Sequence, residues 1–392
     1  MNNLFLKQSL KVTPLFLLVF LSFFNFMGRG PVIFLPFCIY GLFITHNVRW
    51  IPTCNLYLLV ALFAAIASLI YYDYPEAIKT VLYFLSFYIG YRFYSTFKST
   101  PRLLFYLIFW IVIGFVAYLF YAAYLNVWIL GHEEGRRSMI SPWTLEAIPA
   151  TIFGLLSCAP IVFSFYCFFC QKRIMLYFVG TVLLLGSLWV NVQTATRTPF
   201  VVFVIVYAVM IYEQLRKGNR KGSLGLFIIL LIAVILSNSG LWSVLSNSDI
   251  SYRFKNQGLE SLRWDYTKLY FDNMLEYPWG GGFVEKRYHA MAHNLIQEGY
   301  DYYGIFFAIP LLFIFVGMLI RIIKLHLIKY KSSFAYLFLS LYIGVFVQVM
   351  MEPVIAGYPQ LIWFFFLIDG IVVGAYVENR GDLFQRNKIV IR

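Results

Sequence analysis

Three short segments carry the side chains best suited to chemistry, and the first is centred on Arg197. This residue lies in the sequence Gln-Thr-Ala-Thr-Arg-Thr-Pro (193–199), directly before an apolar run. Pro199 suits the first turn of a helix, where its missing N–H is not needed. Arg197 is therefore predicted to be a cation beside a helix N-terminus, a position that also favours bound anions. The alternative is an arginine that extends to lipid phosphates.

The second segment begins near Arg263. Pro278 and the glycines 280–282 end it and permit a turn where backbone can approach a ligand closely. The alternative for Arg263 is a surface arginine paired with solvent or with a neighbouring acid, Asp265 or Glu260. Apolar residues recur at helical spacing and predict an amphipathic helix that lies on the membrane or on other helices; they are Leu262, Tyr266, Leu269, Tyr270 and Leu275.

The third segment contains His293, followed by Asn294 and, one helical turn later, Glu298. Neutral imidazole can accept a proton near pH 7, which a hydroxyl nucleophile requires. Asn294 and Glu298 are candidates to support this histidine. A lone histidine is more often structural than catalytic. His289 is the nearby competitor, and its charged neighbours predict a solvated surface position.

No metal or cofactor is expected. The spacing of the acids matches no strong metal motif, so we predict that they form a solvated face; these acids are Asp249, Asp265, Asp272, Glu276, Glu298 and Asp301. The five cysteines lie in or beside apolar runs and are predicted to be small packing residues rather than a disulfide framework.

The composition indicates which kind of elements must hold these segments. Hydrophobic residues make up 61% of the 392 residues and charged residues 12%, whereas a soluble domain averages about 45–50% and about 25%. A spanning helix needs about 20 mostly apolar residues. The chain is therefore predicted to be one polytopic, all-α integral membrane domain over residues 1–392.

About twelve membrane helices are predicted, with both termini in the cytoplasm. Cytoplasmic loops hold an excess of lysine and arginine, and this alternation places roughly 20 of the 31 basic residues inside, Arg321 and Lys331 among them. The net charge of +13 is thus explained by topology, and no nucleic-acid partner is expected. The predicted spans are 13–28, 31–46, 54–72, 77–96, 102–125, 147–170, 173–193, 197–213, 223–240, 304–323, 333–351 and 360–377.

Two outer loops are long enough to take part in chemistry. One covers about 126–146, and the larger, about 238–303, lies between the ninth and tenth helices and carries Arg263 and His293. Inside the spans, Asp369 is the notable polar residue. A carboxylate there is either functional or hydrogen-bonded to a neighbouring helix.

The three segments together resemble the O-antigen ligase and polymerase superfamily of bacterial envelopes. The shared features are a Thr-Arg at a helix start (Arg197), an arginine about fifteen residues before a proline and a glycine cluster (Arg263), and a His-Asn before the next helix (His293). The large outer loop and the aromatic last span after Glu352 are also similar. The family often has Ser-Arg-Gly where this chain has Thr196, Arg197 and Thr198.

The resemblance implies a metal-independent glycosyltransferase of the bacterial cytoplasmic membrane. Its donor would be a glycan on undecaprenyl pyrophosphate, and its acceptor a hydroxyl of a glycan or of lipid A–core. Membrane lipids and a chain-length regulator are further implied partners. The roles carry over to Arg197 and Arg263 as pyrophosphate ligands and to His293 as catalytic base, with support expected from Asn294, Glu298 and Asp265.

The function expected from this resemblance is polymerisation of O-antigen or capsular repeat units. The first alternative is a ligase that transfers the glycan to lipid A–core. The second, from another class, is a transporter or flippase for lipid-linked glycans, which about twelve helices would also suit. Transporters place their site near the membrane midplane, whereas here the polar residues concentrate outside the spans.

Overall fold

The computed structural model describes residues 3–130, 138–149, 151–170, 174–194, 196–216, 262–289, 291–328, 331–379 and 382–385. A short antiparallel hairpin pairs β1 (Ser138–Ile140) with β2 (Ala147–Pro149). The helices are α1 (Asn3–Phe23), α2 (Gly30–Ile44), α3 (Pro52–Tyr71), α4 (Tyr74–Phe97), α5 (Pro101–Ala123), α6 (Thr151–Cys170), α7 (Ile174–Gln193), α8 (Thr198–Arg216), α9 (Leu262–Asn273), α10 (Phe283–Tyr288), α11 (Leu295–Tyr303), α12 (Ile305–Leu327), α13 (Ser333–Val349) and α14 (Gln360–Asn379).

Seven helices in the described part of the chain are long and apolar enough to cross a membrane, namely α3, α5, α6, α7, α8, α12 and α14. The apolar stretches of α1, α2 and α13 are shorter. Every predicted span overlaps a helix except the ninth, 223–240, which lies outside the described residues. The all-α class with helices of membrane-spanning length is therefore confirmed, and the count of about twelve spans stays a prediction.

Local sequence sets several helix starts. The Asp73 carboxylate accepts a hydrogen bond from the Glu76 amide at 2.9 Å, and the Ser332 hydroxyl accepts one from the Ala335 amide at 3.2 Å. Both side chains satisfy an amide that has no partner inside the helix. Proline occupies the first turn of α2, α3, α4 and α5, where it costs no hydrogen bond.

Helices α6 and α14 form the centre of the bundle, since most of their residues are buried. Helix α14 packs along α4 at a close crossing. A Cβ at Gly90 would lie 2.2 Å from the Leu367 carbonyl oxygen, and a Cβ at Gly370 would lie 2.0 Å from that of Phe87. Glycine at both positions lets the two backbones approach, as small residues do between membrane helices.

The turn between α1 and α2 meets the start of α14 at one end of the bundle. The Tyr358 hydroxyl donates to the Phe23 carbonyl at 2.9 Å, and the Gln360 amide donates to the Asn25 side chain at 3.4 Å. The Thr198 hydroxyl also bonds Glu352 there. We call this the site end of the bundle.

The opposite end holds many of the cations. Arg92 donates to the carbonyl oxygens of Leu42, Thr45 and His46 at 2.6–3.1 Å. Lys98 pairs with Glu378 at 3.0 Å. This grouping of helix ends is the one that alternating spans require. Which end faces the cytoplasm stays a prediction.

Arg321, which the basic bias assigns to the cytoplasmic side, pairs with a buried acid, and the side of the membrane on which it lies stays a prediction. Arg321 lies within α12, and its guanidinium bonds both oxygens of Asp369 on α14, at 2.7 and 2.9 Å. The hydroxyls of Tyr57 and Tyr342 donate to the same carboxylate. Asp369 is fully buried, and a long arginine side chain can reach a buried acid from a position that sequence places near a helix end.

Candidate functional site

The backbone of Arg197 is fixed on both sides by bonded threonines. The Thr196 hydroxyl donates to the Asn191 side chain at 2.6 Å, and the Thr198 hydroxyl bonds Glu352. Asn191 in turn donates to Ser157 on α6 at 2.7 Å. Arg197 itself is half-buried at the start of α8. Its position at a helix N-terminus, predicted from Pro199, is confirmed.

The segment from Glu352 to Gly357 connects the Arg197 segment to the large loop. Its first residue bonds Thr198, and its next backbone amides bond Glu298 on α11. The Glu298 carboxylate accepts from the amides of Val354, Ile355 and Ala356 at 2.7, 2.9 and 2.8 Å. One buried acid thus anchors the whole turn.

Glu298 and Asp301 do not belong to a solvated face, and that prediction is wrong for both. Each is nearly fully buried. Burial raises the pKa of Glu298 to about 7, against the opposing effect of its three amide bonds. Asp301 accepts from the Val284 and Glu285 amides at 3.0 and 3.3 Å and from the Tyr270 hydroxyl at 3.2 Å. Burial raises its pKa as well.

His293 lies against α9. Its ring stacks on Tyr266, with ring centroids 6.0 Å apart and planes within 8°. The Gln297 amide donates to the Thr267 carbonyl at 3.2 Å and ties the same two segments together. Arg263 lies in the first turn of α9, three residues before Tyr266. The Arg263 side chain lies outside the described residues, and its predicted role stays a prediction.

Asn294 and Asp265 have positions that the sequence did not specify. Asn294 caps α11, because its side-chain oxygen accepts from the Gln297 amide at 2.9 Å and its nitrogen donates to the Gln297 side chain at 2.6 Å. Asp265 is exposed on α9, and so is His289 at the end of α10, as predicted for that histidine.

The predicted glycine turn is confirmed. Gly280, Gly281 and Gly282 have φ of 86°, 95° and 68°, values that side chains disfavour. The amides of Gly281 and Gly282 donate to the carbonyls of Tyr302 and Asp301 at 3.1 and 2.8 Å. The turn is therefore held against the end of α11.

Four polar side chains outside the predicted set of site residues help to build this site: Asn191, Thr196, Thr198 and Gln348. Thr196 and Thr198 were named from the sequence only as neighbours of Arg197. The signal that all four share is a polar group within or beside a long apolar run. Gln348 on α13 is fully buried, and its amide has no hydrogen-bond partner among the described residues. A Cβ at Gly154 would lie 3.8 Å from the Gln348 side-chain nitrogen and 3.4 Å from the ring of Pro199, in the first turn of α8.

The structure thus connects the Arg197 segment, the Glu352 turn and the helix that follows His293 through direct hydrogen bonds at one end of the bundle. Among the residues that the structure describes, no group of three or more histidine, cysteine or acidic side chains is arranged to hold a metal ion. No protein-family model matches the chain, and no curated protein matches it.

Proposed function

We propose that the protein is a membrane glycosyltransferase that polymerises O-antigen or capsular repeat units on the outer side of the bacterial cytoplasmic membrane. Its donor is a glycan carried on undecaprenyl pyrophosphate. The observation that supports this proposal is a pair of hydrogen bonds at the turn that starts at Glu352. Thr198, next to Arg197, bonds Glu352, and the Val354 amide of the same turn donates to Glu298, on the helix that follows His293. Segments about one hundred residues apart in sequence thereby meet at the end of apolar helices, where a lipid-linked headgroup would lie.

The chemistry requires a cation and a base. The acceptor oxygen attacks the anomeric carbon of the donor, the carbon–oxygen bond to the pyrophosphate breaks, and the pyrophosphate leaves with the electron pair. Arg197 and Arg263 bind the charge that develops on the phosphate oxygens, since guanidinium can donate two parallel hydrogen bonds. His293 accepts the proton of the acceptor hydroxyl.

The ligase alternative uses the same donor and the same three residues. It differs in the acceptor, which is then lipid A–core rather than a growing glycan. A gel of cell-surface glycans distinguishes the two, because loss of a polymerase leaves single repeat units on the core and loss of a ligase leaves none.

The transporter alternative would place function at the buried pair of Arg321 and Asp369. An ion pair inside membrane helices is a functional candidate. Here each Asp369 oxygen accepts one bond from Arg321 and one from a tyrosine hydroxyl, Tyr57 or Tyr342. A carboxylate has about four acceptor positions, so this one has none left for a transported group. We therefore favour the transferase.

The test is complementation of a strain that lacks the protein, at matched membrane levels of each variant. Arg197→Ala should abolish glycan transfer, and Arg197→Lys should restore little, because lysine is a point charge without the planar fork. His293→Ala should lower the rate about 10²–10⁴-fold while the lipid-linked donor accumulates. Product is read from a glycan gel.

Matched controls are Arg287→Ala and His46→Ala. Arg287 is an exposed arginine of the large loop that pairs with Glu276 at 3.0 Å, and His46 is exposed at the opposite end of the bundle. Both should transfer glycan at the wild-type rate. Full activity of Arg197→Ala would show that the arginine is not part of the site and would refute the proposed transferase.

A further inference from the structure

A cavity of about 530 Å³ opens at the site end of the bundle, apart from the three predicted catalytic residues. Ser68 at the end of α3 and Tyr72 just after it line one wall, and Gln360 at the start of α14 lines another. The volume lies within the range of about 300–1,000 Å³ that is typical of small-molecule sites. Such sites combine apolar walls with a few directed polar groups.

Three of its lining side chains carry buried polar atoms without a hydrogen-bond partner among the described residues. They are the hydroxyls of Ser68 and Tyr72 and the side-chain oxygen of Gln360. Ser68 and Gln360 are 0% and 3% exposed. Leaving such atoms unpaired costs free energy, so their place on a cavity wall indicates that a ligand with its own donors and acceptors completes them.

The charges of the cavity balance. Lys79 and Glu76 both line it and form an ion pair with each other. A pyrophosphate would need an excess of positive charge in the cavity, which this ion pair does not supply. A paired lysine and glutamate surrounded by hydroxyl and amide groups instead fit an uncharged ligand that is rich in hydroxyls.

A second cavity of about 590 Å³ adjoins the first. Tyr72 and Tyr302 line both cavities, and their rings stack with centroids 5.6 Å apart and planes within 21°. The second cavity is also lined by Glu285 and Lys286, which carry opposite charges, and by His289. The two cavities meet at this tyrosine pair, and each is large enough for a small molecule such as a sugar. We call the two cavities together the cleft.

We propose that this cleft binds the uncharged carbohydrate part of the acceptor glycan. The inference rests on the proposed transferase function, and it separates an acceptor site from the donor site at the arginines. One wall of the first cavity is bonded to the helix that follows His293. Ile355 and Ala356 line the first cavity, and their amides are bonded to Glu298, on the helix that directly follows His293.

The probe is the surface polysaccharide of the source cells, released from lipid by mild acid, and its binding to the purified full-length protein in detergent is measured by calorimetry. The double variant Ser68→Ala/Tyr72→Phe removes two hydroxyls that make no hydrogen bond in the free protein. It should therefore fold as the wild type does, while its affinity for the glycan falls by about tenfold or more. Tyr106→Phe removes an exposed hydroxyl on α5 outside the cleft and should bind normally.

The outcomes separate the two proposals. Wild-type protein that binds no glycan, or a double variant that binds as tightly as the wild type, would overturn the acceptor cleft and leave the transferase proposal intact. A transfer assay in which Arg197→Ala is fully active would refute the transferase, whereas the binding assay uses lipid-free glycan and does not depend on transfer.

Discussion

Two acidic residues of the large loop, Glu298 and Asp301, were expected in solvent and are instead buried anchors. The sequence placed both residues only in the part of the large loop that comes just before the tenth predicted span. It did not indicate that the helix that carries them lies inside the bundle, because the burial depends on the turn at 353–357 and on the glycine turn at 280–282, both distant in sequence. The local sequence around an acidic residue is the same whether its side chain is exposed or buried. Only the residues that contact it in the folded protein show which of the two applies.

Burial of Glu298 predicts how stability changes with pH. Its pKa rises from the ordinary value of 4.5 to about 7. Between these values the folded protein holds a proton that the unfolded chain has released, so the stability contributed by this group falls as the pH rises through that window. In Glu298→Gln the side chain does not titrate. The thermal stability of the wild type relative to Glu298→Gln, measured in detergent from pH 5 to pH 8, should therefore decrease with pH.

The amides of Val354, Ile355 and Ala356 act in the other direction, because hydrogen bonds to a carboxylate favour its charged form. If the stability of the wild type relative to Glu298→Gln instead increases with pH, the amides outweigh burial and Glu298 is ionised in the folded protein. Other groups titrate in both proteins and cancel in the comparison, so the sign of the slope decides between the two effects.

At the scale of elements, hydrophobic runs and proline positions predicted the helices well, but not their partners. Helix α4 can pack closely on α14 because glycine is present where the two backbones meet, at Gly90 and Gly370. Likewise, the sequence singled out Asp369 and left its partner open. Arg321 lies 48 residues away on another helix, and no local pattern connects two such positions.

The Arg321–Asp369 pair gives a prediction about the stability of the bundle. Asp369→Leu leaves Arg321 buried without its acid, and removing one member of a buried pair costs about 3–5 kcal/mol. The double variant Arg321→Met/Asp369→Leu removes both charges and should recover most of that loss. Folded fraction is measured by size-exclusion chromatography of detergent-solubilised protein and by resistance to sodium dodecyl sulfate.

Two results would change this interpretation. A double variant no more stable than Asp369→Leu would show that the charges do not account for the loss. A double variant that folds fully but no longer supports glycan synthesis would give the pair a functional role and restore the transporter alternative.

At the scale of the whole molecule, the sequence predicted an alternating bundle with one chemically active end. The contacts group the helix ends, and the activity of one end stays a prediction. The turn after α1, the hairpin of β1 and β2, and the turn before α14 lie together, as Trp143 packs on Phe24 and Phe26 with centroids 5.2 and 5.5 Å apart. The cleft between these elements was not predictable, since the residues that line its first cavity alone come from six separate segments and share no motif.

The final prediction concerns the direction of the bundle in the membrane. Glu146 is exposed in the hairpin at the site end. Asn47 is exposed at the opposite end, next to His46, whose carbonyl accepts a hydrogen bond from Arg92. The basic bias places Asn47 in the cytoplasm and Glu146 outside. A membrane-impermeant maleimide applied to intact cells should therefore label Glu146→Cys and reach Asn47→Cys only after the cells are permeabilised.

The native chain is a suitable background for this labelling, because Cys38, Cys54, Cys158 and Cys167 are buried, and the unaltered protein measures the labelling of all five cysteines together. The direction of the bundle matters for the chemistry. The donor glycan must be on the same side of the membrane as Arg197, so labelling of Asn47→Cys from outside intact cells, with Glu146→Cys protected, would put the arginine at the cytoplasmic face. That result would contradict a transferase that acts on glycans already carried across the membrane, even if the fold and the cleft were correct.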